Sequence, residues 1–478
     1  MPMFIPSATS ADSGAKVALF GGWTSSSRTW LARIFLLVVL AAVWGVALRG
    51  GFRFDDYPNI VQDPATAQAG AFLERLGWGL RPLLRATYFM DHAFWGMEAR
   101  GFLFTNLLLH AGAVLAVFHL AARRLGNHAA ALMAALVFGL QPANAEAVVY
   151  LSGRSVLLST ALLLGALLAH ERAREETPLA GAWRWMSVFA FVLAALARET
   201  ALVYPFLLLA WEASRPEGGK KGSALVPGFL AALLAALLFA LPRYRDLAAY
   251  STELRSPLSS LAMNLSGLPE SLSLWFRPWA LSLIHPAPDL NVMRVALGLG
   301  LVLFLVILGI LSMRGRRHGS LATLAGLAAL WILIALAPTH GFIARRDVIT
   351  ERQLYLAWVG PSLLAGGLWM ALRRTSAARI VTIAGVAVLL GAGWASMRRA
   401  ELWTNELRLW RDTVLKAPGS ALAWNNLGAA RRDAGDLPGA VKAIRRALEL
   451  DPTNRTARFN LMEMEFTAPA ATLQGREP

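Results

Sequence analysis

Eleven long apolar runs, separated by short clusters of charge, decide what this chain can fold into. They fall near 30–49, 102–121, 129–148, 153–170, 183–198, 200–213, 224–241, 292–313, 319–337, 354–372 and 379–396. A helix crosses the hydrocarbon core of a bilayer with about 20 apolar residues. A polytopic, all-α membrane helix bundle is therefore expected. Only 16% of the 478 residues are charged while 56% are hydrophobic, whereas a soluble domain carries about 25% charged residues. The first run is too long and too poorly flanked for a cleaved signal peptide, and reads as a retained helix.

Charge placement gives the orientation. Lys16, Arg28 and Arg33; Arg123 and Arg124; Arg172, Arg174 and Arg184; Arg215 with Lys220 and Lys221; Arg314, Arg316 and Arg317; and Arg373, Arg374 and Arg379 all fall on one side if the runs alternate. The positive-inside rule makes that side the cytoplasm. The net charge of +16 is then accounted for by cytoplasmic loops facing anionic lipid. No basic patch with interleaved aromatics points to nucleic acid. Residues 1–29 form a cytoplasmic tail, and the segments 50–101, 242–290 and 338–353 face outside. This alternation needs 242–290 to stay outside. Residues 258–283 fit, because Asn264, Pro269, Glu270, Arg277 and Pro278 interrupt the apolar run. A re-entrant or interfacial helix pair is expected there, with a twelfth or thirteenth span as the competing count. Without cysteine there is no disulfide and no thiolate metal site.

After residue 397 the composition changes to that of a helical module, expected over 397–466. Trp424, Leu427, Gly428, Ala440, Ala447 and Pro452 stand at the spacings of a tetratricopeptide repeat, with Ile444 at its large apolar position. Gly428 and Ala440 would let two antiparallel helices approach while Trp424 and Ile444 fill the seam. Trp403, Leu407, Trp410 and Val414 read as the second half of a degenerate preceding repeat. So short an array is expected to lean on the membrane domain. An odd number of spans puts the module outside, followed by a disordered tail over 467–478.

The chemistry-bearing residues gather at the outer ends of the runs. Asp55 and Asp56 lie just past the first, in Arg53-Phe54-Asp55-Asp56-Tyr57. Adjacent residues on a turn point in different directions, so one carboxylate can take a hydroxyl proton while the other orients the loop. Arg81, Arg85 and His92 lie on an amphipathic stretch ahead of the second run. Guanidinium forks stay charged and bind phosphate bidentately, although an interfacial Arg is more often an anchor. Asn106 and His110, four apart, form one polar face suited to interhelical hydrogen bonds. Glu146, Ser152 and Arg154 close the third run and open the fourth, as an ion pair or a site. Arg198 with Glu199, and Glu351, Arg352 and Tyr355, complete the set. Arg345, Arg346 and Arg352 go against the positive-inside trend, for which an anionic lipid head group is one explanation. No Walker motif, dinucleotide fingerprint or nucleophile elbow is present, and no ligand spacing marks a metal site.

In their order, these segments resemble the transmembrane and tetratricopeptide-repeat O-mannosyltransferase-like proteins, a branch of the GT-C glycosyltransferases. The pieces that carry the resemblance are Phe54-Asp55-Asp56 with Asn59-Ile60, Arg81-Pro82-Leu83, Asn106 to His110, Glu146-Ala147-Val148 with Ser152-Gly153-Arg154, Arg198-Glu199, and Glu351-Arg352 to Tyr355. The resemblance implies an inverting transfer of a hexose such as mannose from a polyprenyl-phosphate donor to a hydroxyl of an exported protein or glycan. It implies Asp55 or Asp56 as catalytic base, and Arg81, Arg154 or Arg352 on the leaving phosphate. Glu146, Arg85, His92, Glu199, Glu351 and Tyr355 would bind substrate or support the site. The repeat would present the acceptor, a divalent cation is left open, and the setting would be the periplasmic face of a bacterial cytoplasmic membrane. Two other readings are open: a non-catalytic scaffold docking partners through its repeat, and a lipid-linked oligosaccharide ligase or flippase.

Overall fold

The computed structural model describes residues 25–175, 177–215, 225–314 and 321–467. Residues 1–24, with Lys16, and 468–478 lie outside the described residues, as do Lys220, Lys221, Arg316 and Arg317. Among the described residues every regular element is helical. Seven helices are long and apolar enough to cross a membrane, or ten if each bent pair is one span. All ten lie on expected runs. The eleventh run, 200–213, is the exception in length. There a 3-10 turn, Glu199–Val203, leads into the ten-residue helix Tyr204–Ala213, whose α-helical rise is only about 15 Å.

Local chemistry sets the breaks. Gly126 ends the helix Ala99–Leu125 in the left-handed conformation that glycine adopts without penalty. The Asn127 side chain then caps the next helix by accepting from the Ala130 N–H. Gln141-Pro142 interrupts the run 129–148, bending it by 52° into His128–Gly139 and Pro142–Val149. A second proline, Pro242, starts a helix that leaves Leu225–Ala240 at 85°. That helix, Pro242–Leu254, buries no residue. The segment 258–283 holds one helix, Pro257–Ser273, with Pro269 inside it, and a 3-10 turn at Pro278–Ala280.

Without a hydrophobic drive between helices in lipid, close approach and interhelical hydrogen bonds hold a bundle. A Cβ added at Gly366 would stand 2.6 Å from the Ala130 carbonyl oxygen, so these two helices touch backbone to backbone. Asn106 donates to the Val148 carbonyl at 3.1 Å. His110 Nδ1 pairs with the Tyr355 hydroxyl at 2.7 Å.

The repeat packs Ala421–Asp433 against Leu437–Leu450, with Arg455–Thr467 as a third helix. Gly428 is the point of closest approach: a Cβ there would stand 2.4 Å from Ile444 Cγ1. Gly428→Leu is expected to destabilise the module by about 1–3 kcal/mol through overpacking. Faster limited proteolysis after Ser420 reads that loss.

The preceding helix, Glu406–Lys416, leans on the membrane domain. Trp410 packs edge-on against Phe54, ring centroids 4.8 Å apart. Arg53 pairs with Glu406 at 3.7 Å. Lys416 donates to the Leu281 carbonyl at 2.7 Å. Below it, buried Arg399 pairs with both Asp412 at 3.2 Å and Glu351 at 3.5 Å. Trp410, Glu406, Lys416 and Asp412 thus tie this helix to Phe54, Arg53, the Leu281 carbonyl and Arg399.

Candidate functional site

The turn after the first span carries the site. Phe54 has φ +45°, a left-handed backbone that costs a bulky residue on the order of 1–3 kcal/mol unless its surroundings impose it. Here the ring is wedged between Trp410 and Tyr150, so burial of the aromatic offsets the strain. The result is that Asp55 and Asp56 face opposite ways.

Asp56 is 1% exposed. Its Oδ2 accepts from the Arg53 N–H at 2.9 Å, and its Oδ1 accepts from the Ser152 N–H at 2.7 Å and the Ser152 hydroxyl at 2.6 Å. Burial pushes its pKa up to about 6, against the pull of those hydrogen bonds. Both oxygens are committed: Oδ2 closes the turn and Oδ1 fixes it onto the loop before Arg154. Asp55 is exposed, and its carboxylate makes no hydrogen bond or ion pair among the described residues. Its N–H donates to the Tyr150 hydroxyl at 3.2 Å. Burial first, then the charges of Asp55 and Asp56, raise the pKa of that phenol.

Arg352 faces the same spot. Its guanidinium carbon lies 5.8 Å from the Tyr150 ring centroid. Glu146 orients it, with an ion pair at 3.3 Å and the Arg352 N–H donating to Glu146 Oε2 at 2.9 Å. A quarter of the Arg352 side chain remains exposed.

Around Arg352 stand four more guanidinium groups. Arg81 forms a two-pronged pair with Glu199. Arg198 donates to Ser155 at 2.8 Å and Gln353 at 3.3 Å, and Arg345 to Thr350 at 3.2 Å and the Val348 carbonyl at 2.9 Å. Arg255 donates to the Arg345 carbonyl. Arg198, Arg255 and Arg345 make no ion pair among the described residues. Burial and then Arg81 pull Arg198 down to about 9. Burial and then Arg352 pull Arg345 down to about 10. Both remain cationic at neutral pH. The Nε groups of Arg255 and Arg345, with His340 Nε2, are buried without a hydrogen-bond partner. A buried donor left unpaired costs about 1–3 kcal/mol. Crowded like charges and orphan donors together mark a place for an anion.

Five expected site residues lie elsewhere. Arg154 is 0% exposed and fully committed: to Asp91 at 2.6 Å, to Asn106 and the Phe102 carbonyl at 2.7 Å, and over the Tyr88 ring at 4.7 Å. It holds the helix Pro82–Trp95 to the bundle, because an unpaired guanidinium at that depth would be prohibitive. Glu146 and Arg154 therefore do not pair with each other. Arg85 is tied to Asp63, which also caps the helix Pro64–Ala67. Tyr355 lies in the bundle core with His110. Glu351 is 0% exposed and accepts from the Ser282 N–H at 2.6 Å, with His285 at 3.2 Å, so it fastens the segment before residue 292. His92 is half-buried on Pro82–Trp95 and makes no side-chain hydrogen bond or ion pair among the described residues. Asp55, Asp56, Glu146, Arg352, Arg81 and Glu199 do gather at one end of the bundle. Tyr150 and Arg255 went unread in the sequence, although Tyr150 stands between the two motifs that flank the site. Among the described residues no three His, Asp or Glu side chains are grouped to hold a metal ion.

The tetratricopeptide repeat family model matches residues 421–454. Human protein O-mannosyl-transferase TMTC3 is 23% identical, over 89% of this chain and 52% of its own length. Protein O-mannosyl-transferase F38B6.6 of Caenorhabditis elegans is 25% identical, over 88% of this chain and 63% of its own. The chain thus spans about half to two thirds of the length of the curated relatives it matches. Among solved structures, the oligosaccharyltransferase AglB of Archaeoglobus fulgidus superposes with a TM-score of 0.43 at 14% identity, covering 87% of this chain and 60% of that one. That score is too low to establish a common fold. By sequence, the chain is similar over most of its length to the protein O-mannosyl-transferases of the TMTC type, and it carries one matched tetratricopeptide repeat.

Proposed function

We propose that this multi-pass membrane protein is a glycosyltransferase. It moves a hexose such as mannose from a polyprenyl-phosphate carrier to a hydroxyl, with Ser or Thr of an exported protein as the acceptor. The chemistry takes place on the face away from the cytoplasm, which in a bacterium is the periplasmic face of the inner membrane. The observation that carries this reading is the pairing of an uncommitted carboxylate, Asp55, with a group of guanidiniums that exceed their carboxylate partners.

In this reading the donor phosphate sits among Arg352, Arg345 and Arg198, which remain charged and can donate to several of its oxygens. The helix Pro82–Trp95 exposes Met90, Phe94 and Trp95, an apolar side on which the isoprenoid can lie. Asp55 accepts the proton of the acceptor hydroxyl as its oxygen bonds to the anomeric carbon. The bond from that carbon to the phosphate oxygen breaks, and its electron pair leaves on the lipid phosphate, which the arginines stabilise. Attack from the side opposite the phosphate inverts the anomeric centre. Asp56 and Glu146 position the base and Arg352 without touching the sugar.

The test uses the full chain in proteoliposomes with mannosyl-phosphoryl-polyprenol and a Ser/Thr-rich peptide. Release of polyprenyl phosphate with a matching hexose increment on the peptide is the expected result. Carrier lost from one leaflet with no covalent product would point to a flippase and overturn the reading.

A further inference from the structure

We propose that the chain holds an anionic phospholipid in a cavity at the far end of the bundle from Asp55. This inference does not depend on the transferase reading. The cavity encloses about 640 Å³ and is lined by Arg174, Arg184, Trp185, Val188, Leu208 and Val226 among others. It lies where the helix Arg154–Arg172 ends and Ala180–Ala197 begins. Residues 151–172 form 22 helical residues, so the cavity is about 33 Å from the Asp55 turn.

Charge at this level is uneven. Among the described residues three carboxylates are present, and each is already engaged. Glu212 is paired with His170 at 2.9 Å, Arg174 at 2.8 Å and Arg215 at 3.0 Å. Glu171 is paired with Arg215 and accepts from the Trp211 indole at 2.6 Å. Glu175 is paired with Arg123 at 2.6 Å and Arg172 at 3.4 Å. Six arginines face them: Arg123, Arg124, Arg172, Arg174, Arg184 and Arg215. Arg124 is spent on Ser214. Arg184, on the cavity wall, makes no hydrogen bond or ion pair among the described residues. Among the described residues the surplus is three positive charges, and Arg184 at the mouth has no partner among them.

The walls decide between a lipid and a small anion. Val188, Leu208 and Val226 offer no hydrogen bond, and the Ser187 hydroxyl is spent on Tyr204 at 3.0 Å. On the outside of the same helix Trp185, Met186 and Phe189 are exposed, which places this wall against acyl chains with Trp185 at the interface. A phosphodiester at Arg184, with the first methylenes of its chains along the apolar wall, satisfies both halves. A sugar or nucleotide would leave its polar groups unpaired there.

Native mass spectrometry of the detergent-purified full chain tests this, with phosphatidylglycerol and phosphatidylcholine supplied in equal amounts. One basic residue beside an anionic head group gives a roughly fivefold preference, so phosphatidylglycerol should be retained about that much better. Arg184→Gln, at an exposed position, should bring the ratio close to one. Val188→Trp, which fills the cavity, should reduce retention of bound lipid altogether, with thermal midpoints confirming that both variants are folded. Equal retention of the two lipids overturns the proposal. So does a preference that persists in both variants. Displacement of phosphatidylglycerol by millimolar inorganic phosphate would mark a simple anion site and overturn the lipid.

Discussion

Asp55→Asn should lower sugar transfer by about 10²–10⁴-fold, the range a positioned general base supplies, with membrane insertion and thermal stability unchanged. The substitution keeps size and shape and removes only the basic oxygen. It is structurally inexpensive because the Asp55 carboxylate holds nothing in place, and the turn is anchored through the Asp55 N–H to Tyr150. Asp56→Asn should behave differently. Its amide would present a donor where Arg53 or Ser152 already donates, leaving a buried donor unpaired at about 1–3 kcal/mol. Activity should then fall together with stability. Transfer by Asp55→Asn at the wild-type rate in the proteoliposome assay would remove Asp55 from the mechanism.

The largest structural effect is expected from Arg154. Arg154→Met should destabilise the protein by about 3–5 kcal/mol, because it leaves the Asp91 carboxylate buried and unpaired. Asn106 and Thr87 lose a partner as well. Tryptophan-fluorescence melting in detergent reads the loss. Asp91→Leu in the same chain should recover part of it, since removing both members of a buried pair costs less than removing one. A phosphate ligand would behave otherwise, losing turnover with its melting temperature intact. Arg352→Lys, which loses the planar fork but keeps a cation beside buried Glu146, should give that second pattern.

The fold was legible in the sequence where a single period governs. Apolar runs the length of a bilayer gave the seven candidate spans, or ten if each bent pair is one, and the Trp424–Gly428–Ala440–Ile444 spacing gave the repeat. The short run at 200–213 read as a span because hydropathy does not see the 3-10 turn that uses up its first residues. For the site, chain order placed the motifs at helix ends but could not say which partner each takes. Glu146 and Arg154 stand eight apart in sequence, yet Glu146 pairs with Arg352 and Arg154 with Asp91. Partner choice across 63 residues in one pair and 206 in the other is set by how the helices pack, and no local spacing encodes it. The division of labour within the acidic pair was foreseeable as a possibility. Which member is clamped depends on Ser152 arriving from another loop.

The wedge of Phe54 between Tyr150 and Trp410 bears on how such a protein can be taken apart. A chain cut ahead of Glu406 would lose the surface that imposes φ +45° on Phe54, and the turn would relax toward an ordinary β conformation, letting the reactive oxygen drift. In the proposed mechanism the repeat and the base are therefore joined at one aromatic contact. Anyone wishing to graft a foreign repeat array onto this bundle should make the junction after Lys416, so that the native tryptophan stays with the loop it braces.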